Sequence, residues 1–106
     1  MEQLKKDITN TIMYIDQYCR LIMLGKYDHA NELMSALTAS FSKIIPQILI
    51  SYKDIEALQN DDGSVWKLQL SRILEALETD DDFRKLDILM HETKQLLVEY
   101  LGFLEQ

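Results

Sequence analysis

The stretch ANELMSALTASFSKIIPQILISYKDIEAL, residues 30–58, carries Ala30, Leu33, Leu37, Phe41, Ile44, Ile48, Ile55 and Leu58 at intervals of three, four and seven. At about 100° per residue these side chains stay on one helical face, which predicts one long helix from about His29 to Leu58. Pro46, the one proline of the chain, sits inside the run without shifting its phase. A proline within a helix removes a backbone donor and presses on the carbonyl four residues earlier, here that of Ser42. The reading is therefore a kinked helix. A five-helix arrangement in which Pro46 ends the helix is its rival, because a residue before proline disfavours helical geometry.

Toward the N-terminus, Leu4, Ile8, Ile12, Ile15, Cys19 and Ile22 repeat the pattern and define a first helix. Gly25 suits a left-handed C-cap and Asp28 is placed to cap the next helix, so the corner spans residues 25–28. Toward the C-terminus, Asn60, Asp61, Asp62, Gly63 and Ser64 read as a second corner. A third helix follows with Trp66, Leu70, Ile73, Leu74 and Leu77 on one face. Thr79 with Asp82 resembles a capping box that starts a fourth helix, whose stripe is Leu86, Leu89, Met90, Thr93, Leu97, Tyr100 and Leu104. The expected fold is all-α: an antiparallel up-and-down four-helix bundle with a long, kinked second helix, one domain over residues 1–106. A displacement of 56 residues also lays Tyr18 on Leu74, Leu21 on Leu77, Leu33 on Leu89 and Phe41 on Leu97, the pattern of two similar hairpins.

With 47% hydrophobic and 27% charged residues, the 106-residue chain has the composition of a folded protein with one core. It has no unbroken apolar run of about eighteen residues, so no membrane span is expected. The N-terminus lacks the apolar block of a signal peptide, so a cytoplasmic location is expected. A single cysteine, Cys19, can form no internal disulfide and reads as a buried small hydrophobe. The net charge of −7 is uneven: residues 1–53 carry six basic and five acidic side chains, residues 54–106 five and thirteen. An acidic second half repels phosphate backbones and anionic membranes, which argues against nucleic acid and favours a basic or amphipathic protein segment as partner.

Chemistry-bearing patterns are sparse. Neither His29 nor His91 follows a glutamate at the spacing of a di-iron bundle, no second histidine completes a zinc-protease motif after His91 and Glu92, and three glycines form no phosphate loop. The turn at residues 60–64 lacks the alternating oxygens of a calcium loop. No enzyme, metal site or cofactor is expected.

His91, Glu92, Thr93 and Lys94 match the His-x-x-Lys core of histidine phosphotransfer domains, which the chain resembles in size and acidity; the resemblance implies His91 as phosphoacceptor with Lys94 beside it. That family usually has glycine after the lysine, where this chain has Gln95. LGKYDHANELMSAL and LEALETDDDFRKLDILM resemble the hairpin corners of small helical-bundle proteins from Gram-positive bacteria, including flagellar export chaperones of the FliS and FliT type. The leucine-tyrosine-aspartate-glycine motif near the start of FliS proteins is absent. This second resemblance implies a chaperone or adaptor that holds an amphipathic helix of an export substrate. Independently, Met13, Tyr14, Leu21 and Leu24 make a second apolar stripe on helix 1, opposite Ile8 and Ile15. A helix apolar on both sides is covered twice, which marks these four as a partner-binding face or a homodimer seam.

Overall fold

The computed structural model describes residues 2–55, 58 and 63–105. Among them every regular element is helical: α1 (Glu2–Met23), α2 (Tyr27–Ser51), α3 (Ser64–Glu78), and a C-terminal rod. The rod consists of α4 (Asp82–Leu86), a π-helical segment (Asp87–Thr93) and α5 (Lys94–Leu104) in direct succession. The all-α expectation is met, with four helical rods sharing one interior. Ile8, Ile15, Tyr18, Leu37, Ile44, Ile48, Ile73, Leu89 and Leu97 are fully buried there. α1 packs against α2 and the C-terminal rod; α3 packs mainly against the rod and less extensively against α2.

α2 runs through Pro46 without a break, so the five-helix alternative is set aside. It ends earlier than residue 58, however. A 3-10 turn covers Tyr52–Asp54, and Ile55 is extended at φ −103°, ψ 114°. Ile55 and Leu58 are nonetheless buried, so they keep the apolar spacing of a helix that has already ended. Apolar spacing reports which side chains go inside, and here a turn returns two of them to the core where a helix was expected. Tyr52 meanwhile stacks on Tyr100, ring centroids 5.6 Å apart.

The corners follow backbone chemistry. At the end of α1, Gly25 takes φ +73°, and the Gly25 and Lys26 N–H groups donate to the Ile22 and Leu21 carbonyls at 3.0 and 2.9 Å. This is a Schellman cap, as glycine at that position allows. Asp28 is not the cap of α2: it lies in the first turn, one residue inside the start at Tyr27, and no side chain caps this helix. Of the second corner, Asn60, Asp61 and Asp62 lie outside the described residues; Gly63, at φ +73°, leads into α3. At the third corner the N-cap is Asp81 and not Thr79. The Asp81 carboxylate accepts from the Phe83 and Arg84 N–H groups at 3.1 and 3.2 Å, while the Thr79 hydroxyl accepts from the Asp81 N–H. The threonine folds the turn that delivers the aspartate, a division of work the spacing alone does not specify.

Lys85, Leu89, Thr93 and Leu97 are all buried, each four residues after the last. In a regular α-helix each such step advances about 40°, so three would carry the last side chain out of the core. The π segment widens the turn, with the Lys94 N–H bonded five residues back to the Leu89 carbonyl, and keeps the four on one side. Burial also refines the internal repeat. Leu37 with Thr93, Phe41 with Leu97 and Ile44 with Tyr100 agree at a displacement of 56, but Ile15 and Tyr18 are buried where Ser71 and Leu74 are exposed. The first arms agree instead at 58, pairing Ile8 with Trp66, Thr11 with Gln69, Ile15 with Ile73 and Tyr18 with Ala76. The helices of the two halves thus correspond at displacements that differ by two residues.

α2 is long and apolar enough, by length and composition, to cross a membrane; unbroken apolar runs had not singled it out. A core helix passes the same test, and α2 turns Leu37, Phe41, Ile44 and Ile48 inward.

Inside the bundle the Thr93 hydroxyl accepts a hydrogen bond from Gln69 Nε2 at 2.9 Å, both side chains buried. Thr93→Val should lower the unfolding free energy by about 1–3 kcal/mol, because the Gln69 donor is left buried and unpaired. Adding Gln69→Leu should recover only part of that loss, because the Gln69 amide also hydrogen-bonds Glu92. Urea unfolding of the single and double variants measures both.

Candidate functional site

The residues singled out by sequence fall into three places. His91 is exposed on the π segment, next to a shallow depression that it lines with Met90, Lys94 and Gln95. Lys94 lies beside it, but its ammonium donates to Asp16 Oδ1 at 2.6 Å. Its charge is therefore directed to α1. Cys19 is buried, and burial, with Asp16 adding, pushes its thiol up to about 11, which suits a packing role and not a nucleophile. Among the described residues no group of three or more His, Cys, Asp or Glu side chains converges as a metal site would require.

The helix 1 face divides in two. Met13 and Leu24 are 48% and 62% exposed, whereas Tyr14 and Leu21 are half-buried and pack against the core. On a helical wheel Tyr14 and Leu21 stand roughly 80 to 100° from Met13, far enough to turn toward neighbouring helices. The four do not form one open stripe. Two buried polar atoms in α1 also lack a hydrogen-bond partner: the Tyr18 hydroxyl and Asp7 Oδ2. Asp7 Oδ1, by contrast, receives Gln3 and lies 3.2 Å from the Lys43 ammonium. Burial, then Asp82, then Cys19 raise the Tyr18 hydroxyl to about 12.

An apolar groove of about 320 Å³ lies between α2 and α3. Phe41 and Ile45 from α2 and Ile73 from α3 are its buried floor; Pro46, Leu70, Leu74 and Leu77 form its walls, with Leu74 50% exposed. It was not anticipated from the sequence. The signal was there: Ile45 stands about 80° off the Leu37 stripe of α2, and Leu74 about 80° off the Trp66 stripe of α3. Each helix therefore has an apolar residue to spare on one flank.

The opposite face of α3 is charged. Arg72 donates from Nε to Glu92 Oε1 at 2.9 Å and from Nη2 to the second oxygen, and Glu75 pairs with Arg84. The hydrogen bond from Arg72 holds the Glu92 carboxyl below its ordinary range, against the opposing effect of burial. These ion pairs join α3 to the C-terminal rod. Comparison of the chain with protein-family models, curated proteins and solved structures returns no match.

Two outcomes follow. Because the Glu92 pKa is lowered by folding, its contribution to stability is complete above the ordinary carboxylate pKa and is lost as pH falls through the depressed one. Urea midpoints measured across the acid range should fall less steeply for Glu92→Gln than for the wild type. On α1, Met13→Glu with Leu24→Glu should leave the melting temperature nearly unchanged. Tyr14→Glu with Leu21→Glu should lower it clearly, since those side chains pack on the core. Thermal unfolding followed by circular dichroism distinguishes the pairs.

Proposed function

We propose that the chain is a non-enzymatic protein-binding module, an antiparallel up-and-down bundle bent at Pro46, which receives an amphipathic helix in the groove between α2 and α3. The observation that carries this reading is the groove itself. It is walled by Pro46, Leu70, Leu74 and Leu77 between two helices, the setting into which a further helix lays its apolar face. Residues 54–106 carry five basic and thirteen acidic side chains, a field that favours an occupant with basic residues flanking its apolar face. Chaperone-like holding of an export segment is the role suggested by the resemblance to flagellar export chaperones. A seam between two copies of the chain through Met13 and Leu24 is the competing use of an exposed apolar surface. Phosphotransfer through His91 has less support, because Lys94 is engaged by Asp16.

A designed peptide with leucines at positions i, i+3, i+4 and i+7 and lysines elsewhere is the direct probe, titrated by calorimetry. It should bind, more weakly as salt rises, and the same peptide with glutamates in place of lysines should bind more weakly still. Leu74→Glu should reduce affinity by about tenfold or more, which is about 1.4 kcal/mol, with the helical signal intact. Equal binding by the Leu74 variant, or loss of binding in Met13→Glu with Leu24→Glu, would move the site to α1.

A further inference from the structure

Where α3 begins and α5 ends, a second cavity of about 180 Å³ opens at the end of the bundle. Tyr52, Trp66, Tyr100 and Phe103 line it, with Val65 and Glu99 among its other lining residues. Trp66 meets Tyr100 edge-on, with centroids 6.2 Å apart, and Tyr100 in turn stacks on Tyr52. These three rings support one another across the wall. Glu99 is exposed and forms no ion pair among the described residues.

Aromatic rings carry negative charge on their faces, and a carboxylate at the same opening adds to the attraction for a cation. The volume is sufficient: a cavity of about 150 Å³ admits benzene. An ammonium ion carrying methyl groups presents apolar surface to Trp66 and Phe103 and spreads its charge toward Glu99. A bare metal ion does not match, since apolar and aromatic side chains make up most of the lining and offer too few oxygens to replace its water. We propose that this cavity binds a small organic cation with apolar substituents, best matched by a trimethylammonium group. Glu99 repels an anion attached close to that cation, so choline or a trimethylated lysine side chain is preferred over a phosphocholine headgroup.

Trp66 is the single tryptophan of the chain and lies in the cavity wall, so its fluorescence reports occupancy directly. The full chain is titrated with tetramethylammonium, choline, trimethyllysine, phosphatidylcholine vesicles and 3,3-dimethylbutan-1-ol, the uncharged counterpart of choline. A saturable change is expected for the three soluble cations, with dissociation constants of about millimolar order, the range open to so small a ligand. The uncharged alcohol should bind about fivefold more weakly or worse, and Glu99→Gln should weaken the cations by about fivefold. Val65→Phe, at a half-exposed position, should block the cavity and abolish the response while the circular dichroism spectrum stays helical. Equal binding of the alcohol, a response to the vesicles alone, wild-type affinity in both variants, or no saturable change would each overturn the assignment.

Discussion

The arrangement of the bundle depends on keeping one side of the C-terminal rod turned inward over its whole length. Lys85, Leu89, Thr93 and Leu97 demand a repeat of four, which an α-helix overshoots, and the π segment removes the surplus rotation. That single local departure places Thr93 opposite Gln69, turns Glu92 toward Arg72, and aims Lys94 at Asp16. The rod is thereby tied to α3 on one side and to α1 on the other.

The seams of the bundle differ in kind. Between α1 and α2, Thr11 meets Ser40 at 2.9 Å and Asp7 meets Lys43; between α1 and the rod, Asp16 holds Lys94; between α3 and the rod stand Gln69 with Thr93 and Arg72 with Glu92. Directional bonds fix the partners across each of these seams. Between α2 and α3 the surfaces that meet are Phe41, Ile45, Ile73 and Leu70, and apolar contact has no preferred direction. Such a seam tolerates a second apolar surface laid into it more readily than the others would. The proposed docking of a helix therefore falls where the bundle has least to rearrange.

Much of the fold was legible because it rests on spacing. The long run through Pro46, the stripes of α1 and the rod, and the left-handed corner at Gly25 were all read from residue type and interval, whereas α3 buries Gln69 and Ala76 beside Trp66 and Ile73 and leaves Leu74, expected on its inner face, half exposed. What could not be read was anything that depends on which neighbour stands opposite. Ile55 and Leu58 kept helical phase although the chain had left the helix; Thr79 looked like a cap although Asp81 is the one that reaches the free N–H groups. The site was less legible still. Tyr14 and Leu21 were expected to face outward, yet they flank the core, and the groove needed two residues from separate helices, Ile45 and Leu74, to be seen together. A single amphipathic wheel cannot show a cavity made by two.

The Tyr18 hydroxyl, buried without a partner beside Cys19, sets a limit of a different kind. Both groups are neutral acids held in an apolar interior, the thiol raised to about 11 and the phenol to about 12. In the unfolded chain each ionises at its ordinary, lower value. Any stability they confer is complete below that value and drains away as pH climbs toward the folded one, because only the unfolded chain can release its protons. Two adjacent residues of the first helix thus add to the bundle's alkaline limit, a direction shared by the buried Tyr100 hydroxyl on the far rod, while Glu92 on that rod adds to the acid limit.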